Sequence, residues 1–249
     1  LTNWVRFTIH SGKTSTLPSD TNARRMTAAH AILLGLVPPA YVLGSVPFGL
    51  IVARTQGVDP RKAGSGNIGA TNVGRLLGGR FFAVVFSLDL LKGLVPMLAA
   101  AAVLRGLGPT PGTYGPLDYT LWLLVGFAAI LGHMFSLFLK FKGGKGVATS
   151  TGVILGLFPY YTLAALVALA VWIVLFKLTR YVSVASMLGA MSFVLAYLGI
   201  GLAAHWPVFA EQWPLLLFAC LVAAMILCKH RGNLARLRAG TEHRFGASS

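Results

Sequence analysis

A loop rich in glycine and short polar side chains, residues 64–75, is the segment whose composition best suits chemistry. It reads GSGNIGATNVGR. Glycines let backbone N–H groups approach an anion closely, and successive N–H groups form an anion-binding nest. Ser65 adds a hydroxyl, and the guanidinium of Arg75 can hold a phosphate through two N–H bonds. The other candidate phosphate-binding residues around this loop are Arg61, Gly64, Gly66, Asn67, Thr71 and Asn72. We therefore predict a site for phosphate or carboxylate. A turn-rich connector is the alternative, although such loops are usually shorter.

A second loop, residues 142–149 (KGGKGVAT), leads into the predicted start of a helix. Its candidate phosphate-binding residues are Lys142, Gly143, Gly144, Lys145 and Gly146. A glycine backbone, a lysine charge and a helix N-terminus together suit an anion. The loop is not a Walker A motif, because Gly146 follows Lys145 where Ser or Thr is required. Such loops are also ordinary connectors, so the prediction gains its strength from the first loop.

Polar residues inside apolar segments supply further candidates. Asp89 and Lys92 share one helix face, where they form either a structural ion pair or a substrate contact. Ser183 and Ser186 share another face, with intrahelical hydroxyl bonding as the alternative. His230 and Asn233 lie in a basic tail that can also be a helix on the membrane surface.

The elements that position these residues are predicted to be membrane-spanning helices. Only 11% of the 249 residues are charged, whereas 56% are hydrophobic, and the mean hydropathy is +0.74. Soluble domains carry about 25% charged residues, so this chain lacks the polar surface of a soluble globule. The formal net charge of +15 fits basic loops beside a membrane or an anionic substrate, and we predict no nucleic-acid partner.

The apolar runs predict an all-α integral membrane protein with seven spans. They are residues 31–53, 80–104, 119–139, 147–158, 160–176, 181–203 and 207–228. The fourth and fifth meet at Pro159, and one long kinked helix over 147–176 is the alternative. Residues 26–249 are predicted to form a single transmembrane catalytic domain. Residues 1–25 are predicted to be a tail without function, an extension of the start site or a leftover of expression.

Seven spans put nearly all interhelical cations on one side of the membrane. These are Arg54, Arg61, Lys62, Arg75, Arg80, Lys140, Lys142, Lys145, Lys177, Arg180, Lys229, Arg231, Arg236, Arg238 and Arg244. The interhelical loops of the other side carry only Arg105 among cations. Because cytosolic loops collect Lys and Arg, we predict an external N-terminus, a cytosolic C-terminus and an active site that faces the cytosol. We predict neither a metal nor a cofactor, because the sequence has no CxxC or HExxH motif.

Seven motifs occur in an order that resembles one enzyme family. They are GSVPFG, GSGNIGATN followed by Arg75, DLLKG, GHMF, FKGGKGVAT, RYVSVAS and KHRGNLARL-x-x-GTEHRF. Together, over about residues 40–245, they resemble the bacterial acyl-phosphate:glycerol-3-phosphate acyltransferases, the PlsY family.

The resemblance implies a seven-span inner-membrane enzyme. It would transfer a fatty acyl group from acyl phosphate to the 1-hydroxyl of sn-glycerol 3-phosphate, giving lysophosphatidic acid and inorganic phosphate, the first acylation of phospholipid biosynthesis. It implies catalytic roles for Ser65, Arg75, His230 and Asn233, glycerol-phosphate binding at the Lys145 loop, and a structural role for Glu242. We expect membrane lipid as a partner and a monomer.

No general base is conspicuous in the sequence, because no histidine is followed by an acidic residue in the His-x4-Asp pattern of other glycerolipid acyltransferases. We therefore hypothesise that binding and charge stabilisation do most of the work, and that a phosphate oxygen of a substrate accepts the hydroxyl proton. The alternative from another class is a transporter of phosphate or organic anions, which would need a polar path near the bilayer midplane.

Overall fold

The computed structural model describes residues 20–246, which contain helices and no strand. The helices are α1 (Asp20–Ser45), α2 (Phe48–Arg54), α3 (Ala70–Leu77), α4 (Gly79–Leu107), α5 (Pro116–Met134), α6 (Val147–Gly156), α7 (Thr162–Thr179), α8 (Val182–Ala203), α9 (Trp213–Lys229) and α10 (Arg231–Arg238). A single 3₁₀ turn, Leu137–Leu139, follows α5. Most of the predicted tail, residues 1–19, lies outside the described residues, and residues 20–25 belong to α1.

Within residues 20–246, five helical segments are long and apolar enough to cross a membrane. They are Thr21–Arg54, Gly79–Leu107, Pro116–Leu139, Thr162–Thr179 and Val182–Ala203. A sixth forms if Trp213–Lys229 and Arg231–Arg238, which meet at a bend of 50°, count as one span. These findings confirm that the chain is a helical membrane protein. The count of seven spans stays a prediction, because it requires α6 to be one of the spans.

Two separate helices occupy the stretch around Pro159. Helix α6 ends at Gly156 and α7 begins at Thr162, so the single kinked helix is wrong. Proline disfavours helical geometry in the residue before it, which explains the break. With ten residues, α6 is about 15 Å long, half of a hydrocarbon core.

Glycines allow the central helices to pack backbone against backbone. A Cβ atom on Gly44 of α1 would overlap the carbonyl of Ala129 on α5, and one on Gly152 of α6 would overlap the carbonyl of Leu90 on α4. Membrane helices associate through such small residues, since apolar side chains gain little by leaving lipid. The close α4–α6 contact places the first turn of α6 beside the middle of α4.

The two ends of the bundle differ in chemistry. One end, here called the motif end, gathers residues 55–78, 140–146, 180–183 and 229–246. The opposite end gathers the links 108–115, 157–161 and 204–212, where aromatic rings cluster. The centroid of the Tyr160 ring lies 5.2 Å from that of Tyr119 and 6.3 Å from that of Trp122. Tyr and Trp favour membrane–water interfaces, which agrees with a bundle that ends there.

Candidate functional site

One cavity of about 560 Å³ opens at the motif end and runs down among the helices. The part of the cavity nearest the motif end is lined by polar residues of α3, the start of α6, α8 and the α9–α10 junction. The part farther from the motif end is apolar and lies between α6, α7, α8 and α9. Its wall includes Ile154, Leu166, Phe193 and Val222. The cavity therefore combines a polar head region with an apolar crevice, as a lipid-like molecule with a charged group requires.

The first predicted loop places Ser65 on the cavity wall. Gly64 and Gly66 flank it with φ angles of +59° and +71°, which favour glycine. The backbone N–H of Ser65 donates to Asn72 Oδ1 at 2.9 Å. Asn72 Nδ2 donates to the carbonyls of Pro60, Ala63 and Asn67 at 2.8 to 3.1 Å. Asn72 therefore holds the loop in shape and also lines the cavity, so that its predicted contact with phosphate stays a prediction.

Arg61 does not reach the cavity, contrary to the prediction. Its Nη2 lies 2.6 Å from Asp59 Oδ2, and its Nε lies 2.9 Å from Asp59 Oδ1. This hydrogen-bonded pairing holds the pKa of the Asp59 carboxyl well below its usual range. Arg61 is thus neutralised at the exposed edge of the loop. Asn67 and Thr71 do line the cavity, while Gly64 and Gly66 form the turn behind it.

Arg75 reaches the cavity from α3. Its Nη2 donates to the backbone carbonyl of His243 at 3.0 Å. Its Nε is buried and has no hydrogen-bond partner within the part of the chain that the structure describes. A buried donor without a partner costs about 1–3 kcal/mol, so this N–H is suited to a ligand in the cavity. The guanidinium lies on the same wall as Ser65.

The glycines of the second loop serve packing more than anion binding. The N–H of Gly143 donates to the carbonyl of Met134, and that of Gly144 donates to the carbonyl of His133. A Cβ atom on Gly144 would overlap the His133 ring, and one on Gly143 would overlap the His133 carbonyl. Neither glycine lines the cavity, and Lys142 is exposed outside it. The phosphate contacts predicted for these three residues gain no support from the cavity lining and stay predictions.

Lys145 and Gly146 do line the cavity. Gly146 adopts φ +83° and starts α6, whose first N–H groups open on the polar region. Lys145 Nζ donates to Asn233 Oδ1 at 2.5 Å, which joins the second loop to the C-terminal motif. Burial lowers the pKa of Lys145 to about 8, although nearby Glu242 opposes this shift.

Glu242 joins the elements that carry the remaining polar groups. Its Oε1 accepts from Ser183 Oγ at 2.8 Å and from Asn233 Nδ2 at 2.6 Å. Its Oε2 accepts from Arg236 Nε at 2.8 Å. Burial alone would raise the pKa of Glu242, but these hydrogen bonds hold it below its usual value. A buried carboxylate with three donors is a structural anchor for α8, α10 and the segment beyond.

His230 and Ser186 complete the polar wall. His230 Nδ1 lies 2.8 Å from the carbonyl of Ile226, so that a proton on Nδ1 leaves Nε2 as an acceptor. Ser186 Oγ accepts from Trp172 Nε1 at 3.3 Å. Both side chains are buried on the cavity wall. The intrahelical bonding considered for Ser183 and Ser186 is replaced by these contacts with other elements.

A buried charged cluster lies beneath the second loop. Lys92 Nζ lies 2.7 Å from Asp89 Oδ1, and His133 Nδ1 lies 3.7 Å from the same oxygen. Lys92 is absent from the cavity wall, so its prediction as a substrate ligand is corrected to an ion pair. Asp89 and His133 both line the cavity, and of the two only Asp89 had been considered for a substrate contact from the sequence. Only the GHMF motif could have pointed to His133.

Two further orphan polar atoms face this region. Within residues 20–246, His133 Nδ1 and Ser150 Oγ are buried without a hydrogen-bond partner, like Arg75 Nε. All three residues line the same cavity. Buried polar groups are nearly always paired, so each of the three atoms is suited to a polar partner in the cavity. Among the described residues, no cluster of His, Cys, Asp and Glu could hold a metal ion.

Fold and site together define an integral membrane protein whose cavity suits an amphiphilic, anionic ligand at one end of a helical bundle. The model of the glycerol-3-phosphate acyltransferase family matches residues 34–240. The chain belongs to this family, and it is an acyltransferase.

Curated relatives and solved structures agree with the family match. The glycerol-3-phosphate acyltransferase of Aquifex aeolicus is 42% identical over 212 residues, which cover 85% of this chain and 98% of the relative. That of Geobacter sulfurreducens is 45% identical over 214 residues, which cover 85% and 97%. The crystal structure of PlsY, an integral membrane glycerol 3-phosphate acyltransferase, in its glycerol 3-phosphate form superimposes with a TM-score of 0.71 at 42% identity, over 86% of this chain and 96% of that one. Its lysophosphatidic acid form gives 0.69 at 41% identity, over 86% and 95%.

Proposed function

We propose that this protein transfers a fatty acyl group from acyl phosphate to the 1-hydroxyl of sn-glycerol 3-phosphate. The hydroxyl oxygen bonds to the acyl carbon, the bond from that carbon to the phosphate oxygen breaks, and inorganic phosphate leaves. The products are phosphate and lysophosphatidic acid. One observation carries the proposal: Arg75 and Lys145 lie on the polar wall of a cavity whose other end is an apolar crevice. Two phosphates and one acyl chain can be held there together.

The residues of the polar wall are assigned to three tasks. Lys145 and the α6 N-terminus hold the phosphate of glycerol 3-phosphate. Ser65 and Arg75 bind the group that is transferred and stabilise the negative charge that develops there. His230 and Asn233 orient the substrates, Asn233 through its bond to Lys145. A phosphate oxygen of a substrate takes the hydroxyl proton, and the acyl chain lies in the crevice between α6 and α8.

Transport of an organic anion is the second candidate, and the cavity argues against it. The polar wall residues gather at the motif end, whereas the deeper wall is lined by residues such as Leu166, Phe193 and Val222. A transporter requires polar groups along a path to the opposite end.

Purified protein in detergent should convert labelled glycerol 3-phosphate and acyl phosphate to labelled lysophosphatidic acid without any vesicle. Acyl-CoA in place of acyl phosphate should give no product. Uptake of label into liposomes without lysolipid formation would instead identify a transporter.

The protein is proposed to span the bacterial inner membrane seven times as a monomer, with its motif end in the cytosol. The support is the basic composition of the motif-end loops, the bacterial origin of the relatives and a cavity built by one chain. Sealed inside-out membrane vesicles should therefore acylate added glycerol 3-phosphate, and right-side-out vesicles should not. Equal activity in both preparations would overturn the orientation.

A further inference from the structure

The C-terminal segment after α10 lies at the motif end, where its residue Glu242 lines the cavity. Residues 239–246, here called the strap, are fixed at several points. Glu242 receives the hydrogen bonds from α8 and α10 described above, and the N–H of Phe245 donates to the carbonyl of Arg180 at 2.9 Å. The strap thus runs from α10 over the start of α8 towards α4. It is a tethered part of the motif end.

The ring of Phe245 packs between α4 and α7. Its ring centroid lies 5.9 Å from that of Phe82 on α4 and 5.8 Å from that of Phe176 on α7. Phe82 lines the cavity, and Phe176 stacks on Trp172, which also lines it. Edge-on aromatic pairs contribute about 0.5–1.5 kcal/mol each beyond the area they bury. Phe245 is therefore an anchor that fixes the strap against α4 and α7.

The strap also sets the position of Arg75. The carbonyl of His243, two residues before Phe245, accepts the hydrogen bond from Arg75 Nη2 at 3.0 Å. Within residues 20–246 this is the single hydrogen bond of the Arg75 side chain to protein. A backbone carbonyl has no rotamer of its own, so its location depends on the path of the strap. Because the guanidinium is planar, a hydrogen bond at one Nη atom fixes the direction in which its remaining N–H groups point.

We propose that Phe245 is a positioning residue for Arg75. The phenyl ring anchors the strap, the strap places the His243 carbonyl, and the carbonyl orients the guanidinium so that Nε faces the transferred group. Phe245 itself touches no reacting atom. This inference rests on the proposed role of Arg75 and adds how the C-terminal segment takes part in the reaction.

Phe245→Ala should lower kcat about tenfold to a hundredfold, because small misplacements of a catalytic group have effects of that size. The KM for glycerol 3-phosphate should stay within about twofold, because Glu242, which holds Asn233 beside Lys145, keeps its own hydrogen bonds to Ser183 and Arg236. Phe245→Tyr keeps the aromatic ring and should therefore retain nearly the activity of the parent protein. Phe209→Ala is the matched control, because this phenylalanine is exposed at the opposite end of the bundle.

A double-mutant cycle with Arg75→Lys decides between positioning and simple destabilisation. If Phe245 acts through Arg75, Arg75→Lys should reduce kcat much less in the Phe245→Ala protein than in the parent. Losses that multiply, or full activity of Phe245→Ala, would overturn the proposal. If Phe245→Ala does not fold, the same cycle with Phe245→Leu carries the test. An inactive parent protein would instead contradict the proposed function, so the two failures are distinguishable.

Discussion

Replacing Arg75 with lysine is expected to lower kcat nearly as much as replacing it with alanine, although lysine keeps the charge. The guanidinium donates from Nη2 to the His243 carbonyl and still presents Nε to the cavity. An ammonium group is a point charge without this planar arrangement of donors. Arg80→Lys is the matched control, since Arg80 is exposed at the start of α4.

Ser65→Ala should lower kcat by about two orders of magnitude with little change in either KM, which is the usual effect of losing an oxyanion donor. The reason is that Ser65 lines the cavity in a turn held by Asn72, and the hydrogen bond from Ser65 to Asn72 uses its backbone N–H rather than its hydroxyl. If the loop merely connects α2 to α3, Ser65→Ala is silent. Near-normal turnover of folded, membrane-inserted Ser65→Ala and Arg75→Lys proteins would refute the assignment.

Lys145→Ala should raise the KM for glycerol 3-phosphate roughly tenfold to over a hundredfold, which corresponds to a loss of about 1.5–3 kcal/mol of binding free energy. The KM for acyl phosphate should rise much less. Lys145 is the ammonium group on the polar wall, where a charge-assisted contact to phosphate is strong. Lys142→Ala changes the same loop outside the cavity and should leave both constants unchanged. Equal effects of the two substitutions would mean that the loop acts through its net charge alone.

The pH dependence of the KM for glycerol 3-phosphate gives an independent test of the role of Lys145. Burial lowers the pKa of Lys145 to about 8, so the free enzyme loses this positive charge as the pH rises through that value. The KM for glycerol 3-phosphate should therefore rise between about pH 7 and 9 in the parent protein. In Lys145→Ala it should be high and flat over this range. A parallel rise in both proteins would show that another group titrates.

Much of the architecture follows from hydropathy and from proline. Apolar runs predicted the long helices, and Pro159 predicted the separation of α6 from α7. Helix ends were less accurate: α9 begins at Trp213, six residues after the predicted start, because residues 207–212 form turns closed by Gln212. Such turns depend on local hydrogen bonds that hydropathy does not register.

The types of several cavity-lining residues were predictable from the sequence, but their contacts were not. Ser65, Arg75, Lys145, His230 and Asn233 were all identified from their motifs, and all line one cavity. Sequence could not show that the glycines at 143 and 144 pack on His133, or that Arg61 is paired with Asp59. Those outcomes depend on where the chain returns in space, since a glycine close to a backbone and a glycine close to an anion look alike in a sequence.

The central claim is that binding and charge stabilisation drive the reaction, and that a substrate phosphate takes the proton. The most direct test is the pH profile of kcat in the parent protein and in His230→Gln, because His230 is the buried wall residue whose Nε2 can accept a proton. We expect a lower kcat for His230→Gln with the shape of the profile unchanged. Loss of one limb of a bell-shaped profile in His230→Gln would identify His230 as the base and contradict the claim.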